Sequence, residues 1–326
     1  MQCLIAYSEF VYRQLAIRQK RQQQEEETVR QRLQIQERFT GLSPLRFLSV
    51  ASLFTGLILM IAATISAPIV VVVVYAANIQ GTPGDDTLNG TPKADTINGF
   101  EGNDKLFGKT GNDILDGDKG EDAIYGGNGN DKIKDGSDHP SEEGGEFNKV
   151  YGGSGNDNID VGITFTGLDY YNVYGENGAD YIEVVSSATI WGGNNGDTIY
   201  CTGYECQVYG EKGNDEIHVE LYDVGSGVFG GSGNDKIFGR GYGVSGDEGN
   251  DHLSLDSAVD LKGGEGDDVL EVLEPSSETY YNGGPGADTF NCSSGPGDIV
   301  EDYNPEEGDQ IISPADCETV EGTSTD

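Results

Sequence analysis

A nine-residue pattern governs most of the chain after residue 80 and restricts what the chain can fold into. Each copy carries an aspartate, a glycine five positions before it and a large apolar residue two positions after it. This glycine is present in all fourteen copies between residues 81 and 291, and a second glycine, two positions before the aspartate, is present in twelve. The fourteen aspartates are Asp86, Asp95, Asp104, Asp113, Asp122, Asp131, Asp157, Asp180, Asp197, Asp215, Asp235, Asp251, Asp268 and Asp288. Repetition at a short period is typical of a solenoid, in which each repeat packs against its neighbours.

The residue types of the pattern point to an oxygen-lined turn followed by a short strand. Glycine permits tight turns with φ above zero, so that main-chain carbonyls can point inward. Carboxylate and carbonyl oxygens form a hard, flexible ligand set, which suits calcium better than zinc or magnesium. The residues after the turn predict a minimal strand whose middle side chain, from Leu88 to Phe290, faces the core. Two repeats would make one coil of a flattened parallel helix.

Four segments carry the fullest form of the pattern, Gly-Gly-x-Gly-x-Asp-x-U, where U is a large aliphatic residue. They are residues 126–133, 152–159, 230–237 and 263–270. These segments resemble the hemolysin-type calcium-binding repeat of RTX proteins. The resemblance implies an all-β fold, a parallel β-roll of the RTX solenoid type. It also implies that calcium is held between turns stacked on the same edge, through carbonyls and aspartate carboxylates.

The resemblance further implies which residues would hold the metal. The carboxylates would come from the fourteen aspartates of the pattern. The turn glycines that would accompany them are Gly81, Gly99, Gly108, Gly126, Gly129, Gly152, Gly155, Gly210, Gly213, Gly230, Gly233, Gly263, Gly266, Gly283 and Gly286. Lys93 and Asn195 replace the second glycine of their turns, and Lys93 is expected to place its ammonium near a metal position.

The spacing of the aspartates predicts which edges of the roll bind metal. From Asp86 to Asp131 successive aspartates of the pattern are nine residues apart. Successive turns would therefore alternate between two edges of the roll, and Asp86 would pair with Asp104. After Asp157 the step lies between 16 and 23 residues, which is close to one whole coil. We therefore predict a two-edged calcium roll over residues 78–134 and a one-edged roll over 150–294. Together they would hold roughly ten calcium ions.

The later repeats offer a second check of this register. An apolar residue lies seven positions before each aspartate from Asp157 onward, and it should be the inward side chain of the other strand. An aromatic residue often follows it and should face outward, as at Tyr151, Tyr174, Trp191, Tyr209 and Phe229. Such a stripe of rings has two interpretations. It is either a stacking ladder that supports the sheet or a face that binds a ligand such as a carbohydrate.

The charge of the chain excludes some functions and makes the fold dependent on cations. Acidic residues outnumber basic ones by 57 to 19, which gives a net charge of −38 and leaves no basic surface for nucleic acid. Only 35% of the residues are hydrophobic, and many of these lie in one N-terminal run. The thin core and the self-repulsion of the acidic part predict a chain that is disordered without calcium and folds on binding it.

The N-terminal part differs from the rest. Residues 1–46 are polar and carry a net charge of +3, and an uncharged, largely aliphatic stretch follows at residues 47–77. The first segment is expected to be a helix on the cytoplasmic side, because basic residues flank membrane spans on that side. The second is long enough to cross a bilayer. It is either an uncleaved signal anchor or a signal peptide. Both alternatives place the repeats outside the cell, at its surface or secreted.

Three remaining features complete the organisation of the domains. Residues 135–149 interrupt the repeat and are expected to form a polar surface loop. Residues 295–326 would form a C-terminal cap and tail, because the segment around Asp309 resembles the one that often closes such repeat blocks. Of the five cysteines, four follow the N-terminal stretch, and the expected disulfides are Cys201–Cys206 and Cys292–Cys317.

The sequence contains no recognisable catalytic motif. Neither His-Glu-x-x-His nor Gly-x-Ser-x-Gly occurs, and the three histidines are scattered. We therefore expect a non-enzymatic, calcium-stabilised surface or adhesion protein whose partners are calcium, the membrane and a cell-surface or polysaccharide ligand. The alternatives are a secreted calcium-dependent accessory protein and a protein that acts on polysaccharide through the carboxylates and aromatic rings of the roll.

Overall fold

The computed structural model describes residues 75–136, 148–162, 170–203, 205–221, 226–274, 278–293, 297–312, 317 and 319–320. The helix predicted within residues 1–46 lies outside these ranges, as does the stretch 47–77 except for its last three residues. Within these ranges there is no helix that is both long enough and apolar enough to cross a membrane. Most of the predicted loop at 135–149 is also outside the described residues, although Asp135 and Asn148 at its two ends lie in strands.

The described residues form short strands separated by turns. In chain order they are β1 Asn78–Gln80, β2 Thr87–Asn89, β3 Thr96–Glu101, β4 Lys105–Thr110, β5 Ile114–Lys119, β6 Ala123–Asn128, β7 Lys132–Asp135, β8 Asn148–Ser154, β9 Asn158–Val161, β10 Tyr170–Asn177, β11 Tyr181–Val184, β12 Ser187–Asn194, β13 Thr198–Gly203, β14 Cys206–Lys212, β15 Glu216–Leu221, β16 Gly227–Ser232, β17 Lys236–Arg240, β18 Gly243–Glu248, β19 His252–Ser257, β20 Asp260–Glu265, β21 Val269–Val272, β22 Tyr280–Asn282, β23 Thr289–Asn291, β24 Ile299–Val300, β25 Gln310–Ile311 and β26 Thr319–Val320.

The strands build two parallel sheets that face each other across the core. One sheet contains the thirteen odd-numbered strands in chain order, and the other contains the thirteen even-numbered strands. In the first half each strand pairs with the one 18 residues further on, as Ile97 does with Leu115. The predicted all-β parallel solenoid is therefore confirmed for the described residues.

The core is formed by inward side chains, of which each strand contributes one or two. The residue two positions after each aspartate is fully buried from Ile97 to Phe290, whereas Leu88 at the N-terminal end of the roll is partly exposed. The residues seven positions before the later aspartates are buried as well, from Val150 to Tyr281. Both predicted sets of inward side chains are confirmed.

The aromatic residues of the predicted stripe belong to a stacked column on the even-numbered sheet, which we call the aromatic column. Its seven rings are Phe107, Tyr125, Tyr151, Tyr174, Trp191, Tyr209 and Phe229. Neighbouring ring centroids are 4.5–5.9 Å apart and the ring planes differ by at most 11°. The rings are stacked, as the first interpretation of the stripe expects, and the column begins two coils before Tyr151, the first ring named in the prediction.

Turns occur on two edges of the roll, and the edges differ in chemistry. The long ladder comprises the turns between each even-numbered strand and the next strand, and these turns end at Asp95, Asp113, Asp131, Asp157, Asp180, Asp197, Asp215, Asp235, Asp251, Asp268, Asp288 and Asp309. The short ladder comprises the turns on the opposite edge that end at Asp86, Asp104 and Asp122. The predicted change from two edges to one is therefore present in the fold.

Beyond the short ladder, apolar side chains and a disulfide fill the second edge. Val161, Val184, Cys201 and Val219 follow one another in register and are buried. Cys201 is bonded to Cys206, and Cys292 is bonded to Cys317, as predicted. Hydrophobic contact and covalent bonds thus replace the aspartates on this edge.

Candidate metal centre

A hydrogen bond joins each aspartate of a ladder to the coil before it. The backbone N–H of Asp180 donates to Oδ1 of Asp197 at 2.8 Å, and the N–H of Asp197 donates to Oδ1 of Asp215 at 2.7 Å. The same bond recurs without a break along the long ladder from Asp95 to Asp309. In the short ladder it joins Asp86 to Asp104 and Asp104 to Asp122. One carboxylate oxygen of each of these aspartates therefore has a structural role.

The second carboxylate oxygen has no donor in twelve of the fourteen predicted aspartates. Oδ2 is buried without a hydrogen-bond partner in Asp104, Asp113, Asp122, Asp131, Asp157, Asp180, Asp197, Asp215, Asp235, Asp251, Asp268 and Asp288. An unpartnered buried carboxylate oxygen is costly, and such groups are normally paired or bound to a metal. These oxygens thus fit a cation that lies between coils.

Each of these oxygens lies over the glycine five positions before its aspartate, and at ten of the twelve glycines a carbonyl oxygen of the next coil converges on the same place. A Cβ atom on Gly192 would lie 2.7 Å from Oδ2 of Asp197 and 2.7 Å from the carbonyl oxygen of Gly210. At Gly152 the corresponding distances are 2.6 Å to Asp157 and 2.8 Å to Gly175. Glycine is required here because any side chain would displace the two oxygens.

The turn backbone directs further carbonyls into the gap between coils. Residues four and two positions before an aspartate have positive φ, for example Glu211 at 73° and Gly213 at 141°. The carbonyls of these two residues face Gly231 and Gly233 of the next coil so closely that a Cβ on either glycine would overlap them. Asn195 also has a positive φ, of 80°, whereas Gly213 at the equivalent position has a φ of 141°. Its turn therefore keeps the left-handed backbone at this position.

The oxygen set is made mostly of main-chain atoms. Among the residues that the structure describes, no three His, Cys, Asp or Glu side chains lie close enough together to hold one metal. A gap offers one free carboxylate oxygen and several carbonyl oxygens, without a nitrogen or sulfur ligand. Such an all-oxygen set with flexible geometry fits calcium, and it does not fit zinc.

Burial makes these carboxylates difficult to ionise in the absence of a cation. Desolvation, opposed by the hydrogen bond from Asp180, raises the pKa of Asp197 to about 8. For the same reason the pKa is raised to about 7 in Asp157 and Asp268 and to about 6 in Asp215. Neighbouring carboxylates of the ladder, such as Asp215 beside Asp197, raise the pKa further. A bound divalent cation would reverse this penalty.

Acidification is expected to act in opposite directions on the metal-free and the calcium-loaded protein. Because the folded-state pKa values exceed those of an unfolded chain, the metal-free fold binds more protons than the unfolded state. The stability from these groups is present below about pH 4 and is lost as the pH rises through about 6 for Asp215 and about 8 for Asp197. Calcium needs the ionised carboxylate, so its affinity should fall about tenfold at pH 5 at a site whose pKa is about 6. Circular dichroism in chelator at pH 4.5 and 7.5, with calcium titrations at pH 5 and 7, would check both directions.

The aspartates at the ends of the ladders differ from the others, because local donors satisfy their second oxygen. Oδ2 of Asp86 accepts hydrogen bonds from the N–H of Thr82 at 2.6 Å and from its hydroxyl at 2.8 Å. Thr91 donates to Oδ2 of Asp95 in the same way. These two carboxylates were predicted as ligands, and in the structure they already have partners. The free oxygens of the ladders begin at Asp104 and Asp113.

The C-terminal end carries two equivalent aspartates that the sequence analysis did not assign to the ladders. Oδ2 of Asp298 accepts from the N–H and hydroxyl of Ser293, and Oδ2 of Asp309 accepts from the N–H of Asn304. Both lack the glycine five positions earlier, so the repeat pattern could not find them. Asp309 continues the long ladder through its bond from the N–H of Asp288.

A lysine ammonium reaches the first gap of the long ladder. Nζ of Lys109 donates to the carbonyl oxygen of Gly90 at 2.8 Å, next to Asp95. Burial would raise the pKa of Asp95, but hydrogen bonds from Ala77 and Thr91, together with the Lys109 charge, hold it below its ordinary value. An ammonium therefore reaches this turn from Lys109 of the next coil, while Lys93, for which it was predicted, is an exposed residue.

Removal of this ammonium is expected to open the first gap to an ion. In Lys109→Met the side chain keeps its apolar stem, and the carbonyl of Gly90 loses its donor beside the carboxylate of Asp95. We expect one additional calcium ion per chain at saturation, measured by equilibrium dialysis. The control is Lys105→Met, an exposed lysine on β4. Equal ion counts in the two variants would contradict the role given to Lys109.

Comparison with known families agrees with this geometry. The family model of the RTX calcium-binding nonapeptide repeat matches the chain in four copies, at residues 80–115, 98–133, 144–163 and 228–241. The stacked turns therefore define a parallel solenoid of calcium-binding repeats, and the chain carries RTX repeats. No curated protein matches the chain.

Proposed function

We propose that this chain is a calcium-binding and calcium-stabilised repeat protein that acts outside the cell or at its surface, in a structural or adhesive role and without catalysis. The observation that carries the proposal is the set of twelve buried aspartate oxygens that have no hydrogen-bond donor. They lie in the gaps between coils, on both ladders. A cation in these gaps would complete the fold.

The number of ions follows from the same oxygens. Ten of the twelve lie on the long ladder, from Asp113 to Asp288, and two lie on the short ladder, at Asp104 and Asp122. If each belongs to a different gap, the chain would hold about twelve ions, close to the roughly ten predicted from spacing. Twelve divalent ions would offset a large part of the net charge of −38.

An extracellular location is supported by the chemistry of the roll. Two disulfides join Cys201 to Cys206 and Cys292 to Cys317, and disulfides persist in oxidising compartments. Calcium modules that work outside cells bind at about 10⁻⁴–10⁻³ M, where the ion is abundant. A protein whose fold needs many calcium ions would fold there and remain unfolded where calcium is scarce.

The aromatic column gives little support to a role in polysaccharide binding. A sugar stacks on the face of a ring, and in this column each inner ring is covered on both faces by its neighbours. Only the end rings, Phe107 and Phe229, have one face that is not covered within the column. We therefore favour the structural or adhesive role over an activity on polysaccharide.

The proposal is tested by counting calcium on the full chain. The purified protein is stripped with chelator, dialysed against millimolar calcium or magnesium, and analysed for bound metal. We expect about ten to twelve calcium ions per chain and far fewer magnesium ions, which demand near-octahedral geometry. Binding of fewer than about two calcium ions would overturn the proposal. A glycan array probed with and without calcium would separate adhesion to carbohydrate from a purely structural role.

A further inference from the structure

The first ring of the aromatic column has one face that no other ring of the column covers. Phe107 stacks on Tyr125 with ring centroids 4.9 Å apart and ring planes that differ by 6°. On the opposite side, the parallel register places Asn89 of β2 beside Phe107. Neighbouring strands lie about 4.8 Å apart, which is also the spacing of the stacked rings. Asn89 therefore stands where the next ring of the column would stand.

The side chain of Asn89 lies on the same outer face of the sheet as the aromatic column. Leu88 packs against the core, and side chains alternate between the two faces of a strand, so Asn89 points away from the core. Asn89 is exposed, and β2 is the first strand of the even-numbered sheet. Its amide group is thus accessible to solvent next to the uncovered face of Phe107.

Asn89 also begins one of the two Asn-x-Ser/Thr tripeptides of the chain, at residues 89–91. This tripeptide is the acceptor sequence for N-glycosylation, in which a sugar is attached to the asparagine side chain. The hydroxyl of Thr91 donates to both carboxylate oxygens of Asp95 at 3.0 Å in the folded roll. Attachment of a sugar would therefore precede folding, when this hydroxyl is free to be recognised.

The second tripeptide, at residues 291–293, is engaged in the fold at each of its positions. Asn291 is half-buried and donates from Nδ2 to Glu271 at 3.4 Å. Cys292 is bonded to Cys317, and Ser293 is 3% exposed. A sugar on Asn291 would have to displace the contact with Glu271, whereas a sugar on Asn89 would extend into solvent. The two tripeptides are thus a natural pair of candidate and control.

We propose that Asn89 is an N-glycosylation site, and that the first sugar of its glycan stacks on the uncovered face of Phe107. This inference rests on the proposed location outside the cell, because the acceptor sequence is recognised on chains that cross a membrane. The C–H groups of a sugar ring pack well on an aromatic face, which is electron-rich. The glycan would thus supply the ring that β2 lacks and would cover the exposed end of the column.

The sugar donor would be an oligosaccharide linked to a lipid through a diphosphate. The side-chain nitrogen of Asn89 forms a bond to C1 of the first sugar, and the bond from C1 to the diphosphate oxygen breaks. The lipid diphosphate leaves with the bonding electrons, and the amide loses one proton. The transfer involves no oxidation or reduction, and the chain itself contributes only the acceptor.

The modification is tested on the full-length chain secreted by a eukaryotic host that performs N-glycosylation. The chain is collected from the medium, the glycan is released enzymatically, and the modified asparagine is located by peptide mass spectrometry. We expect a glycan on Asn89 in the wild type and in Asn291→Gln. In Asn89→Gln we expect this glycan to be lost and no modification to replace it at Asn291.

The stacking is tested by urea unfolding in millimolar calcium. We expect the glycosylated wild type to unfold at a higher urea concentration than Asn89→Gln. This difference should disappear when both chains also carry Phe107→Ala. It should persist when both carry Phe229→Ala, which removes the ring at the other end of the column, where Ser245 and no asparagine is next in register. An upfield ring-current shift of the first sugar's protons, lost in Phe107→Ala, would report the contact directly.

The outcomes separate this inference from the proposed function. A secreted chain that binds about a dozen calcium ions and carries no glycan on Asn89 overturns the inference alone. A glycan whose stabilising effect and proton shifts are unchanged in Phe107→Ala overturns the stacking on that ring. A chain that the host does not secrete contradicts the proposed location and removes the inference with it.

Discussion

Removal of calcium is expected to unfold the roll from β1 to β25. At a free concentration ten times the dissociation constant each ion contributes RT ln 11, about 1.4 kcal/mol, so ten ions contribute about 14 kcal/mol. The whole stability of a typical domain is about 5–15 kcal/mol. Without the ions, the twelve free aspartate oxygens would have to be buried as charges or take up protons. The metal-free chain at neutral pH should therefore lose its tertiary structure.

Two probes would follow this transition. Circular dichroism should change from a β spectrum to that of a disordered chain when chelator is added, and should recover when calcium is restored. Trp191 is the only tryptophan of the chain and is stacked between Tyr174 and Tyr209, so its fluorescence reports the aromatic column directly. Addition of magnesium in place of calcium is the control and should not restore the signal. A β spectrum that persists in excess chelator at pH 7.5 would contradict the expectation.

The repeat made the overall architecture predictable. Where aspartates recur every nine residues, the number of repeats between two of them determines whether they lie on the same edge of the roll. The wider spacing after Asp157 shows where one edge no longer carries them. The inward column from Ile97 to Phe290 follows from the same register. These features depend on local spacing, which an amino-acid sequence displays directly. The fold of the described residues therefore agrees with the predictions.

The departures from the repeat were not predictable in the same way. Asp135 looked like the start of a polar loop, and only the stacking of β7 on β5 shows that its side chain enters the gap beside Gly117. An ammonium near Asp95 comes from Lys109, whose long side chain reaches across to a neighbouring coil. The closing turn at Asp309 uses Asn304 as a donor and has no repeat glycine. Each of these features depends on contacts between residues that are distant in the sequence or outside the repeat pattern, and the spacing of the repeats does not reveal such contacts.

Replacement of a single ladder glycine should cost more than removal of a ladder charge. In Gly192→Ala the new methyl group would lie 2.7 Å from both Oδ2 of Asp197 and the carbonyl oxygen of Gly210. The carbonyl belongs to the backbone of the next coil, so the two coils must separate locally. Overpacking of this kind costs about 1–3 kcal/mol. The gap would also lose its ion, at about 1.4 kcal/mol for a site held at ten times its dissociation constant.

Asp197→Asn separates the loss of the ion from the steric effect. Asparagine can still accept the hydrogen bond from the N–H of Asp180, as Asn148 does from Asp122, but it brings no charge to the gap. This variant should lose one calcium ion and only the stability that belongs to that ion. Gly192→Ala should lose the ion and show the added cost of overpacking in calcium-dependent urea unfolding.

The matched control for the glycine substitution is Gly243 of β18, where there is room for a side chain. A Cβ atom there meets nothing within 4 Å, and its φ lies outside the left-handed region. Gly243→Ala should therefore leave the ion count unchanged, and it should raise stability by about 0.4–1 kcal/mol because alanine restricts the unfolded chain. If Gly192→Ala and Gly243→Ala bind the same number of ions and unfold at the same urea concentration, the oxygens over Gly192 do not form a metal gap. If only Gly192→Ala is impaired, the convergence of a carboxylate and a carbonyl on one glycine is the feature that couples calcium to the stacking of the coils.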